Sequence, residues 1–267
     1  MISCTLGRID GAVVRSALSG FTFAEVTVPV ELYSDTPEFT LTTDHMERQY
    51  KVMGSEVYMR AGEKTAVRVS AILSEQEKWL RTTPRSYDSA EVADVLKGLG
   101  IKGGPKMKVS LLNLFLTDGQ LAILLANMST KEAFVDFVSG EVRYYSDLYK
   151  QKPLQVPAAF RRIYGRAPIA GYLGWASGNT GVYPDDTQVV LPFGHFDNLD
   201  RSVMDNVVNN CNGIAKMFCN MQIFTSSSEM EIGSTVLSPL TNDKLVMVAS
   251  EMQFDVNGNV TAVYHCV

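Results

Sequence analysis

The sequence has little of what secreted, membrane-spanning or metal-dependent proteins need. Four cysteines (Cys4, Cys211, Cys219 and Cys266) spread over 267 residues make no disulfide framework. The N-terminal stretch MISCTLGRIDGAVVRSALSG lacks a basic segment followed by an apolar one, so it does not read as a secretory leader. The longest apolar stretch, 109–128, is interrupted by Thr117-Asp118-Gly119-Gln120 and falls short of the ~20 uninterrupted residues a membrane helix requires. An intracellular or virion location is the expectation, with no membrane partner. Charge is also sparse, at 20% against a usual ~25%, which suits a subunit with little solvated surface.

Motifs are equally scarce. Only three histidines are available as bases, and no phosphate-binding loop of P-loop spelling occurs. Gly98-Leu99-Gly100-Ile101-Lys102-Gly103 spells G-x-G-x-x-G. The dinucleotide fingerprint, however, needs a strand before it and a helix after it. Here a predicted helix precedes, and Pro105 with a strand follows. His265-Cys266 sits on a strand, where neighbours face opposite ways, so no shared metal site is expected. A Ser177, His195, Asp197 triad can be written down, but the strand-turn-helix spelling G-x-S-x-G is missing. A hydrolase-like site around His195 stands as a second alternative. No cofactor, metal or catalytic residue is assigned.

What is present is β-forming sequence with turn signals. Residues 21–33 read as a strand, with Pro29 at an edge or bulge. Residues 56–73 read as a hairpin turning at 61–64, with Val67 and Val69 inward and Arg68 and Ser70 outward. A helix is predicted over 89–99, capped by Asp88 or Ser89. A second hairpin is predicted over 106–127, turning at Asp118-Gly119. The Ser129-to-Glu132 spacing predicts a helix running to about Val138, followed by a strand over 142–149. Between Lys150 and Phe193, five prolines and five glycines predict long loops around a short helix near 158–164.

The stretch from Asp200 to Met221 carries apolar residues at three- and four-residue spacing and predicts a long amphipathic helix. Strands over 222–226, 231–237, 244–253 and 260–266 come after it, the last two joined at Asn257-Gly258. The expected fold is α+β, mostly antiparallel, with a C-terminal meander packed on that helix. The expected organisation is a β-rich α+β region over 1–150, connecting loops over 151–198 and a C-terminal region over 199–267, continuous or not with the first.

Charge is segregated along the chain. Residues 1–45 carry a net −4, 46–110 a net +4, 111–183 a net +2 and 184–267 a net −7. One reading is a nucleic-acid surface, in which Arg60, Lys64, Arg68, Lys102, Lys106 and Lys108 meet phosphates of RNA or single-stranded DNA. A sequence pI near 5.3 speaks against a dedicated nucleic-acid binder. The leading reading is a non-enzymatic subunit whose acidic and basic patches meet on neighbouring copies in a homo-oligomer or larger assembly. The absent motifs, sparse charge, segregated charge and one long Gly/Pro region together resemble bacteriophage virion structural proteins. The loops over 165–197 and the hairpin over 56–73 are the expected contacts.

Overall fold

The structure is a computed structural model that describes residues 2–58, 65–114, 116–129, 131–155, 161–163, 189–191, 194–196, 210, 221–238 and 241–267. In chain order the strands begin with β1 (Ser3–Cys4), β2 (Gly11–Ala17), β3 (Phe23–Pro29), β4 (Glu38–Thr42), β5 (Glu47–Tyr58) and β6 (Ala66–Leu73). Then come β7 (Arg85–Glu91), α1 (Val92–Gly98), β8 (Lys108–Leu114), α2 (Asp118–Asn127), β9 (Ala133–Asp136), β10 (Glu141–Tyr144) and α3 (Tyr145–Leu148). The remaining strands are β11 (Arg161–Ile163), β12 (Val189–Leu191), β13 (Gly194–Phe196), β14 (Gln222–Ser226), β15 (Thr235–Leu237), β16 (Lys244–Asp255) and β17 (Val260–Cys266). The fold is mostly antiparallel β with short helices. It divides into two compact units, one of 1–77, 152–164 and 222–266, the other of 78–151, 165–221 and Val267.

The first unit is a single antiparallel sheet in the order β1-β4-β5-β6-β3-β2-β16-β17-β14-β11, with β15 on β16. Alternation along each strand sends one side chain in two to the core. Register then lines those side chains up in rows across strands. One row runs Ala262, Met252, Val14, Ala24 and Ala71, all buried. Val67 and Val69 face this core while Arg68 and Ser70 do not, as alternation predicts. The apolar row is what fixes register, because a one-residue slip would turn every valine to water.

Several expectations are corrected here. Pro29 lies neither at a sheet edge nor at a bulge; it is the last residue of β3, which is flanked by β2 and β6. A strand terminus tolerates the missing N–H, and a short helical turn over Val30–Leu32 takes the chain away. The C-terminal strands β15, β16 and β17 form a meander, but β14 lies on the far side of β17. Asn257-Gly258 makes the expected turn: Asp255 accepts bonds from the Asn257 and Asn259 amides, and Gly258 takes a φ of 83°. Of the predicted 158–164 helix, 161–163 is strand β11; the other residues lie outside those described.

The second unit corrects more. Ser89 and Glu91 belong to β7, so α1 begins at Val92, with no side-chain cap. The hairpin predicted at Asp118-Gly119 is instead the first turn of α2. Thr117 Oγ1 accepts from the Gln120 amide at 3.1 Å while Gln120 Oε1 accepts from the Thr117 amide at 3.0 Å, a reciprocal cap. The helix predicted after Ser129 is replaced by the hairpin β9–β10. Asp136 Oδ1 accepts from the Val138 and Ser139 amides, and Gly140 closes the turn at a φ of 68°. Tyr145 to Leu148, predicted as strand, form α3. The G-x-G-x-x-G stretch ends α1 and leads into an extended segment, the context that excludes the dinucleotide fingerprint.

The long helix predicted over 200–221 lies outside the described residues except for Asn210, which is helical. Asn210 is buried, and its Nδ2 donates to the carbonyl oxygens of Asn127 (3.0 Å) and Ser129. It thereby satisfies acceptors left open where α2 stops. Replacing it with leucine strands those oxygens in an apolar setting. Asn210→Leu should therefore lower stability by about 2–4 kcal/mol, read as a reduced urea midpoint at unchanged m value.

Candidate assembly surface

A sheet of this kind must dispose of its edges, because an edge strand presents unpaired N–H and C=O groups. Strand β1, at one end, is two residues long and offers almost nothing to pair with. The outer side of β15 is met by Leu154, whose amide donates to the Thr235 carbonyl at 2.7 Å. Two stretches of edge are left among the described residues. One is β11, which pairs only with β14. The other is the second half of β5.

Strand β5 is 12 residues long, but β4 pairs with Glu47–Lys51 alone. The register with β6 shifts between Val52 and Gly54, a bulge at Met53. Beyond it, Gly54 to Tyr58 pair with β6 on one side only. The core rows reveal what this edge lacks. In the row Val28, Val67, Val57, the first two members are buried and the third is 67% exposed. In the next row, Val26 and Val69 are buried while Ser55 is exposed. Met53 is 55% exposed. The apolar face of the sheet thus continues one strand beyond its cover.

The opposite face of the same edge is polar. Arg68 lies between Glu25 (3.3 Å) and Glu56 (3.1 Å), with its guanidinium over the Tyr58 ring at 4.9 Å from the centroid. Each contact is partly solvated and individually weak. Together they commit the cation to two carboxylates. Among the candidate phosphate-binding residues, Arg68 therefore sits in a locally acidic group. Lys102, Lys106 and Lys108 are exposed in the other unit, the first two between α1 and β8 and the third at the start of β8; the Lys102 backbone pairs beside Glu141, and Lys108 pairs in register with Glu91. Arg60 and Lys64 lie outside the described residues. So do Ser177 and Asp197, and of His195 only the backbone is described, on β13 opposite Val190.

A cleft of about 460 Å³ opens in the first unit between the turn before β5 and the segment after β14. Glu47, Glu229 and Glu231 line it together with His45, Arg48 and Met230. Its far wall hangs on Tyr264, a fully buried side chain of β17. The Tyr264 hydroxyl donates to the Ser228 carbonyl at 2.8 Å and accepts from the Met230 amide at 2.7 Å. On the near side Thr43 Oγ1 donates to Glu229 Oε2 at 2.6 Å. The sequence gives no hint of this tie, because its partners are backbone groups. Nor could alternation reveal that 53–58 is an edge, since a strand's pattern reports its faces and not its neighbours.

No protein-family model matches the sequence, and no curated protein matches it. Solved structures do. A tail protein from Neisseria meningitidis MC58 superposes with a TM-score of 0.59 at 8% identity, covering 99% of this chain and 94% of that one. The 43 kDa tail protein of prophage MuSo2 from Shewanella oneidensis gives 0.61 at 9% identity, covering 100% and 95%. The chain shares the fold of these two tail proteins. A third match, at 0.60 and 8% identity, is an E. coli component of the type VI secretion system described as similar to the T4 bacteriophage tail proteins gp27 and gp5; it covers 100% of this chain and 76% of that one. At such identities no side-chain site transfers, and the agreement lies in the course of the backbone.

Proposed function

We propose that this protein is a structural subunit of a phage-type tail, built into the particle through contacts with further copies and with other tail proteins. The observation that carries the reading is the end-to-end match with the two tail proteins, which covers nearly all of both chains. A local resemblance would reflect a common building block; agreement over the whole length means that the two units recur together. The open sheet edge supports it as well, since a chain that leaves part of its apolar face uncovered is fitted to association.

The test is made on particles. Tails purified from the host that encodes this chain should contain it as a constant, stoichiometric component by quantitative mass spectrometry. A frameshift early in its reading frame should leave filled heads without complete tails in electron micrographs. Normal tails from the frameshifted strain, or tails free of the chain, would remove the reading.

A further inference from the structure

The two stretches of edge left open among the described residues of the first unit are chemically complementary. The free half of β5 has the sequence Met53-Gly54-Ser55-Glu56-Val57-Tyr58, with no lysine, arginine or proline. Lysine and proline are among the usual guards of an exposed edge, and the guard present here is the bulge at Met53. Its one charge is Glu56, whose side chain is 63% exposed even with Arg68 beside it. The other edge, β11, reads Arg161-Arg162-Ile163. Adjacent strand positions alternate between faces, so whatever the direction of pairing, one of the two arginine positions falls on the face of Glu56. Two β5 edges brought together would instead place like charges near one another.

We propose that the free half of β5 takes up strand β11 of a second copy, so that the sheet of one subunit continues into the next. The main-chain groups of Gly54–Tyr58 supply the pairing, and the register of β11 on β14, which sets the Arg162 position in one row with the buried Phe224 and Tyr264, sends the Arg161 position to the face of Glu56. Because the two edges are different surfaces, the contact is head-to-tail. Such contacts do not stop at two copies; they close into a ring or run on as a filament. The inference rests on the assembly reading above and adds to it the surface and the polarity.

Two edge variants test it. Val57→Lys places a cation on the apolar row of the β5 edge and leaves β11 intact. Arg161→Glu with Arg162→Glu reverses the charge of β11 and leaves β5 intact. Light scattering is followed from roughly 10 µM to 1 mM, the range in which contacts below about 1,000 Å² become populated. The wild-type chain should grow past the dimer mass as concentration rises. Each variant alone, with an unchanged circular dichroism spectrum, should stay at the monomer mass. An equal mixture should stop at the dimer, since one variant offers only a β11 and the other only a β5. Dimers of the β11 variant alone would mean that β5 pairs with itself and would overturn the proposal. So would a mixture that remains monomeric, or a wild-type chain that is monomeric throughout. A monomeric wild-type chain still found in purified tails would leave the tail reading standing and remove this contact alone.

Discussion

Trp79→Ala should cost about 3–5 kcal/mol, a large part of the total stability of an ordinary domain. Trp79 is 2% exposed, and its ring packs on Phe137 at 5.1 Å between centroids with the planes at 55°. Its Nε1–H donates to the Leu99 carbonyl at 3.1 Å, where α1 ends. Truncation removes the buried ring, opens a cavity between these elements and leaves that carbonyl without its partner. Trp79→Phe separates the contributions. It keeps most of the apolar contact and loses the donor, so about 1–2 kcal/mol is expected. Urea unfolding of the two variants checks both values. A loss below about 1 kcal/mol for the alanine variant would show that the second unit does not depend on this ring.

The second large effect is alkaline. Burial pushes the Cys266 thiol up to about 12 and raises the phenols of Tyr264 and Tyr50 above their ordinary range. All three are neutral when protonated, and the fold favours that form. Their contribution is therefore complete below the unfolded-state values, near 9 for the thiol and about 10 for the phenols, and is lost as pH climbs toward the folded values. For Cys266 alone the loss amounts to roughly 4 kcal/mol by pH 12. Stability measured by urea unfolding should hold steady from about pH 7 to 8.5 and fall steeply beyond. Cys266→Ala should flatten the onset, because the thiol begins to matter before the phenols do. A profile flat to about pH 11 would mean that these groups reach water in the native state. His265 acts in the other direction. Burial lowers its pKa, partly offset by Glu251, so its contribution is present above the ordinary imidazole value and is lost as pH falls below it.

How far the sequence reached can be judged from two short stretches. Thr117-Asp118-Gly119-Gln120 and Ser129-Thr130-Lys131-Glu132 both have the spacing of a reciprocal helix cap, and only the first forms one. The residues C-terminal to each motif decide between helix and hairpin. Leu121 to Ala126 is an unbroken apolar and alanine run, buried on nearly every side, which suits a helix enclosed by its unit. Ala133 to Asp136 is a short run buried at three of four positions, and its Asp136 turns the chain back at once. Asp118-Gly119 misled because the same dipeptide serves a hairpin turn or a helix's first turn. Elsewhere periodicity was enough: β3, β6, β16 and β17 fall where alternation puts them, and Val67 and Val69 face the core.

The assembly surface was legible only in outline. The hairpin over 56–73 was expected as a contact for its basic residues, yet the feature that marks it is apolar and backbone in nature. Exposure of Val57 depends on β4 stopping at Glu38, opposite Lys51, and no local pattern records where a neighbour stops. The Arg68 cluster is similar: Glu25, Glu56 and Arg68 meet only because β3, β6 and β5 are adjacent.

The pairing of β2 with β16 has a consequence in time. Arg15 on β2 meets Glu251 on β16, 236 residues further along. At about 5–20 residues per second, a ribosome needs on the order of tens of seconds to make the chain between them. Throughout that interval β2 stands as an unpaired edge, its alternate valines and alanines already in register with β3 and uncovered on the other side. The newborn chain is thus most vulnerable to false partners in its first strands, and a pause or truncation late in translation would injure the sheet at its centre.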